Sequence, residues 1–222
     1  MGRTINYITL TNLSRFFTDL KNWLPFTKGS GAKSMVSGNN SSVKATGNYS
    51  RAFGYSDANS SSDGIIASGE GSFAAGYANN GMISASGNGA RAEGYTSDSY
   101  GDITASGNGS HAEGVGTTAQ NLGEHAEGVC NISNKKTTGT KAEQRAGTTQ
   151  HSVGIGENDA NKNAFEIMQN GDAYLYGLGT YNGTNPISGT NDIKTIINAK
   201  LNSADLVTFN LISQAEFNQI FN

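Results

Sequence analysis

The chain is short of the residues that staple, break or charge a fold. It has one cysteine, which excludes an intrachain disulfide and a multi-cysteine metal centre. Cys130 reads as a small hydrophobe at a valine-like position. Only two prolines occur, Pro25 and Pro186, and they nearly mark the ends of a long middle segment. Charged residues make up 15%, below the usual quarter, so this is not a charge-extended disordered chain. The net charge of −3 comes without a long basic run, which argues against nucleic acid as a partner. No apolar run reaches the ~18 residues of a membrane span, so no membrane partner is expected. Residues 1–11 are polar and no apolar core of a leader follows, so no secretion signal is expected.

Glycine is what the chain has most conspicuously, at 30 residues, and hydrophobic residues are only 35%. Gly, Ala, Ser, Asn and Thr suit thin, regularly wound β-structure, in which backbones lie close together. A repeat bears this out. The unit Ala-x-Gly-x-x-(Ser/Ala)-x-Ala-x-Gly-(Tyr/Val) starts at Ala45, Ala67, Ala85 and Ala105, and a degenerate copy starts at Ala119. Weaker echoes begin at Gly139 and at His151. Within every copy the two alanines are seven residues apart, whereas successive copies are 22, 18, 20 and 14 apart. Rigid units with elastic gaps predict a β-solenoid. Two short strands form each coil, and loops on one edge absorb the insertions. Side chains alternate across a strand. Ile65, Ala67 and Gly69 therefore share one face, and Ser110, Ala112 and Gly114 share another; these small and apolar faces are expected inside. His111 and Glu113 then face outward or toward a neighbouring chain. So thin a roll buries too little to stand alone, and chains are expected to associate side by side.

The flanks differ. Residues 9–24 read as an amphipathic helix, with Thr9 as N-cap. Leu10, Leu13, Phe16, Phe17, Leu20, Trp23 and Leu24 supply an apolar stripe that needs copies of itself or a partner surface. Residues 164–176 read as two strands around Asn170-Gly171, a hairpin signal. Residues 191–222 look helical or mixed, with a capping box at Ser213-Gln-Ala-Glu216. The expected organisation is a helical anchor or oligomerisation segment at 1–33, a repeat shaft at 34–156, a β-hairpin module at 157–189 and a helical or mixed tail at 190–222.

The repeats also carry side chains with chemistry. His111 and Glu113 recur one bare coil later as His125 and Glu127, at roughly the ~4.8 Å spacing of strands. Stacked His and Glu can hold a divalent metal. The same positions in other copies are Arg51/Phe53, Phe73/Ala75 and Arg91/Glu93, however, and a metal ligand is not interchangeable with Arg or Phe. A polar ladder is the expected role, with no metal. Glu93, Glu113 and Glu127 recur as parts of a structural unit, unlike the single acid pair of a glycosidase. No nucleophile motif, phosphate loop or dinucleotide fingerprint occurs, so no catalytic residue, cofactor or enzyme activity is expected. Tyr55, Tyr77 and Tyr95 are expected to pack at one corner.

The repeats resemble the head of trimeric autotransporter adhesins, whose Ser-x-Ala-x-Gly units wind into a left-handed parallel β-roll packed as a trimer. The variants Ser110-His-Ala-Glu-Gly114 and Glu124-His-Ala-Glu-Gly128 look more like repeats of bacteriophage tail and appendage proteins. The stretch from Gly154 to Asp172 resembles C-terminal modules of phage fibres, and residues 9–21 resemble their short N-terminal helices. The repeat resemblance covers roughly residues 34–156. The chain lacks the adhesins' coiled-coil stalk and membrane barrel, which favours a virion component made in the host cytoplasm. The fold this implies is mainly β: a left-handed parallel β-roll in a homotrimer, with a short N-terminal helix, a C-terminal β-hairpin module and a small helical tail. The function it implies is a trimeric head or tail fibre or decoration appendage, bound to capsid or tail proteins through its N-terminal segment. The alternative is an adhesin that recognises host surface glycans.

Overall fold

The structure, a computed structural model, describes residues 9–38, 41–57, 63–157 and 160–175. The chain divides into two units, Met1–Ala173 and Tyr174–Asn222. The expected turn region at 177–186 and the tail at 190–222, with its capping box, lie outside the described residues.

The first element is the helix α1 (Leu10–Trp23). The Thr9 hydroxyl accepts from the Asn12 amide at 3.2 Å, satisfying one of the donors a helix start leaves free. Leu24 is extended, as a residue before proline prefers. Then come β1 (Thr27–Lys28), β2 (Met35–Gly38), β3 (Val43–Ala45), β4 (Arg51–Ser56), β5 (Gly64–Ala67), β6 (Phe73–Asn79), β7 (Met82–Ala85) and β8 (Arg91–Ser97). They are followed by β9 (Ile103–Ala105), β10 (His111–Val115), β11 (Thr118–Ala119), β12 (His125–Val129), α2 (Lys141–Ala146), β13 (Thr149–Ile155), β14 (Asn163–Met168) and β15 (Ala173–Leu175).

Two sheets result. The short strands stack in the order β11-β9-β7-β5-β3 and the long ones in the order β1-β2-β4-β6-β8-β10-β12-β13-β14-β15. Neighbours from β2 to β13 pair in parallel, and from β4 to β12 each copy of the repeat lies in register on the last. This is a β-solenoid. One edge is constant: residues 46–50, 68–72, 86–90, 106–110 and 120–124 join each short strand to its long partner. Among the five copies only the other edge varies in length, longest between β4 and β5 and between β8 and β9 and barest at 116–117. The elastic spacing of the sequence is thus confined to one side.

The recurring polar residues of the corner bond both between coils and within them. In the constant corner Asn48, Asn88 and Asn108 accept, through Oδ1, from the Ala32, Glu70 and Asn88 amides of the preceding coil at 3.0, 3.1 and 3.0 Å. Ser34, Ser50 and Ser72 hydroxyls donate to the carbonyl three residues back at 2.7, 2.6 and 2.7 Å. Inside, Val43, Ile65, Ile83 and Ile103 form one column, and Ala52, Ala74, Ala92, Ala112 and Ala126 form another, all buried. Gly54 leaves room for Ile65: a Cβ on it would sit 2.8 Å from the Ile65 Cδ1.

The interior changes character at its C-terminal end. Thr117 follows Ile103 in the column, because Thr118 pairs with Thr104, and below it the core is polar. Asn131 holds the Thr118 amide and carbonyl at 2.7 and 2.9 Å and the Ser152 hydroxyl at 2.8 Å. Buried Glu166 accepts from Thr149 at 2.5 Å and from Asn134 at 3.0 Å. Glu124 Oε2 accepts from the Gln120 and Asn121 amides, the Asn121 side chain and the Ser133 hydroxyl at 2.8–2.9 Å. Its Oε1 is buried without a hydrogen-bond partner.

Burial therefore pushes the Glu124 carboxyl above its ordinary value of 4.5, against the opposing pull of the Ser133, Asn121 and Gln120 donors. A raised native pKa means the folded chain binds the proton more tightly than the unfolded chain. The resulting stabilisation is complete below 4.5 and is lost as pH rises through the native value. Urea unfolding from acid to neutral pH should show this decline in the parent and a flatter profile in Glu124→Gln. Parallel profiles would exclude Glu124 as its source.

Four local readings change. The echo at Gly139 is no coil: Thr140 and Glu143 close a capping box that starts α2, with the Thr140 amide 2.8 Å from the carboxylate. The signature Thr-x-x-Glu stood in the sequence, and the repeat reading masked it. The region 34–156 is accordingly a solenoid interrupted by a helix. Its winding also begins earlier than the first full repeat, since Gly31, Ser34, Val36 and Gly38 take the places of Gly47, Ser50, Ala52 and Gly54 in the next coil. Finally, Cys130 is buried but not valine-like. It has φ 44°, follows β12 as Gly116 (φ 60°) follows β10, and donates its thiol to the Tyr100 carbonyl at 3.3 Å. A β-branched residue is disfavoured in that conformation.

Candidate functional site

The outward face of the long-strand sheet carries most of the side chains with chemistry. Strand alternation makes it three columns. The first runs Arg51, Phe73, Arg91, His111, His125 and His151. The second runs Phe53, Ala75, Glu93, Glu113, Glu127 and Val153, and the third Tyr55, Tyr77, Tyr95, Val115, Val129 and Ile155.

Parallel in-register strands put identical residues one strand spacing apart. His111 stacks on His125 with centroids 4.9 Å apart and planes within 3°, and His125 stacks on His151 at 4.9 Å and 12°. The column continues at both ends. The Arg91 guanidinium lies 4.9 Å from the Phe73 ring centroid, and His151 meets Phe165 edge-on at 6.0 Å. Phe73 meets Phe53, and Phe53 meets Phe26, at 5.7 and 5.9 Å. The tyrosines also contact in edge-to-face pairs at 5.3 and 5.5 Å, so they pack on one another as expected, within the long strands and not at a corner.

The carboxylates pair across coils. Each imidazole Nε2 reaches back to a glutamate of the previous coil: His111 to Glu93 at 3.1 Å, His125 to Glu113 at 3.2 Å and His151 to Glu127 at 3.3 Å. Glu93 is gripped by Arg91 in a two-pronged bond at 3.0 and 2.7 Å. That bond, followed by the one to His111, holds the Glu93 carboxyl below its ordinary range. Among the described residues no arginine bridges Glu113. Its two oxygens face two imidazoles, Oε1 at 3.2 Å from His125 Nε2 and Oε2 at 3.8 Å from His111 Nε2. The sequence pointed to His111, Glu113, His125 and Glu127 as a ladder, and the structure brings them together as one. Sequence reasoning missed the roles of Arg91 and Glu93, whose spacing of two in one strand was the available signal. It also missed His151 as the third ring, although its echo had been noted.

A cavity of about 600 Å³ opens at the end of the third column, lined by Tyr95, Tyr100, Val115, Val129, Gly154, Ile155, Gly156 and Glu157. Tyr100 comes from the variable edge. Away from this face, Leu10, Leu13, Phe16, Phe17, Leu20 and Leu24 of the N-terminal stripe are all exposed, with Leu10 at 85% and Phe16 at 59%. Trp23 is the last residue of α1. Among the described residues no helix is long and apolar enough to cross a membrane.

These features define the chain as a mainly β protein built on a repeat-encoded β-solenoid. No family model matches it, and neither the curated proteins nor the solved structures give a match.

Proposed function

We propose that this chain is a structural component of a bacteriophage virion, a trimeric head or tail fibre or decoration appendage. Its solenoid is the spacer, a left-handed β-roll packed against two sister chains, and its N-terminal segment binds capsid or tail proteins. One observation carries the reading: an interior of Ile, Ala and Gly is combined with large apolar side chains left standing in solvent along α1 and on the outward sheet face. Exposed apolar area on this scale marks an interaction surface, and an isolated helix of this length is marginal in water. The repeat's resemblance to adhesin heads and phage appendages supports the same reading.

Sedimentation equilibrium of the full chain tests it. The expected mass is three times the 23.1 kDa of one chain. A well-folded monomer at every concentration would sink the proposal. A label on the chain, imaged on whole particles, then distinguishes capsid from tail.

A second reading, recognition of host surface glycans, is favoured by the cavity at Tyr95 and Tyr100. Two tyrosines, the glycines Gly154 and Gly156 and the acid Glu157 line it, residue types that suit a sugar, with C–H groups on aromatic rings and hydroxyls on a carboxylate. Glycan-array binding that disappears in Tyr100→Ala would favour it.

A further inference from the structure

We propose that His111, Glu113 and His125 form a divalent transition-metal site of the zinc type, closed by water. Among the described residues this is the group of three such side chains whose donor atoms converge, all within 4.8 Å of one another. The chemistry of the set is two imidazole nitrogens and one carboxylate, the ligand types of open zinc sites. Each comes from a strand, β10 or β12, so the positions are held by parallel pairing and not by a loop.

Charge separates this rung from its neighbours. Arg91 neutralises Glu93 with both carboxylate oxygens engaged. Among the described residues neither Glu113 nor Glu127 is bridged by an arginine or lysine, and the side chains packed along their column are the imidazoles, Phe165 and Val153. The half-buried face thus carries two carboxylates without an arginine or lysine bridge, where a dication would add positive charge. Glu113 is the carboxylate that lies between two imidazoles, with one oxygen toward each. Glu127 has a single partner, His151.

The fit needs little movement. Tetrahedral bonds of ~2.0–2.2 Å place ligand atoms about 3.3 Å from one another. The His125–Glu113 separation is 3.2 Å and the His111–Glu113 separation 3.8 Å. The two imidazoles must tilt toward each other from their parallel stack, and both are partly exposed, so nothing in the core opposes the tilt. His111 exchanges its bond to Glu93 for the metal, and Glu93 keeps Arg91. The arginine and phenylalanine found at these columns in other coils mark rungs without the site.

Calorimetric titration of the chelator-dialysed full chain with zinc chloride tests the assignment. The expected result is one Zn²⁺ per chain at micromolar affinity or tighter. Glu113→Gln and His125→Asn each weaken it at least about tenfold, the scale on which even outer-shell partners act, and His151→Asn leaves it unchanged. Histidine-selective NMR of the unmutated chain gives an answer that does not depend on variants folding. The His111 and His125 imidazole signals should move with Zn²⁺ while those of His151 hold. No binding at millimolar Zn²⁺, equal loss in His151→Asn, or uniform movement of all three imidazoles would overturn the site.

Discussion

Gly94→Ala is expected to cost about 3 kcal/mol or more, a combination of a forbidden backbone region and a backbone collision. Gly94 sits at φ 136°, which L-residues rarely adopt, and a Cβ there would run into the carbonyl of Gly114 on the next coil. That carbonyl is part of the β8–β10 ladder, so neither partner can withdraw without breaking parallel pairing on both sides. Gly89, five residues earlier in the same coil, is the control. At φ 65° it is left-handed, but a Cβ added there meets nothing within 4 Å. Gly89→Ala should lose only the left-handed penalty, about 1–2 kcal/mol. The repeat has already run this comparison. The position of Gly89 is filled by Lys33 and Tyr49 in earlier coils, at φ 54° and 58°, whereas the position of Gly94 is glycine in every coil from Gly38 to Gly154. Equilibrium unfolding of both variants measures the difference. Equal losses would mean that conformational freedom, and not coil-to-coil contact, explains the glycine column.

Those two glycines also show why so much of this fold could be read from the chain. In a solenoid each coil meets the same neighbours, so a physical demand made once is made at every repeat and becomes a period in the sequence. The Ile and Ala columns, the inward and outward faces, the in-register His111 and His125 and the elastic edge between copies were all legible for that reason. What escaped is what happens once. The helix α2 departs from the winding between β12 and β13, and a single capping box specifies it. The polar core of Asn131, Glu124, Glu166 and Thr149 closes the apolar column through hydrogen bonds between residues 9 to 32 positions apart, which no local pattern announces. At the candidate site the ladder itself was visible from spacing. The division of its acids was not, because whether Glu93 or Glu113 takes the arginine bridge depends on which of them Arg91 turns toward.

Ile83→Ala is the second large effect, about 3 kcal/mol and within the usual 2–5 kcal/mol for such truncations. Ile83 is fully buried between Ile65 and Ile103, which are its register partners on β5 and β9. The buried residues of the facing long strands are small, alanine with Ser56 and Thr96, so no side chain is long enough to swing into the hole. The backbones cannot close it either, because the coil is hydrogen-bonded to a neighbour on each side. A cavity that cannot collapse keeps its full cost. Ile83→Val, which removes one methylene, should lose about 1 kcal/mol. Because each coil touches only the next, the damage should also be local. Amide exchange should quicken across β7 and its partners β5 and β9, and stay slow in β12 and β13, which lie beyond the polar closure. Chain concentration must be held constant in these measurements, since association adds stability that rises with it. A loss below about 1 kcal/mol in Ile83→Ala would overturn the view that this narrow apolar column supports the winding. The coil would then owe its stability to what packs against its outer faces, and the exposed tyrosine and phenylalanine columns would be the surfaces to truncate next.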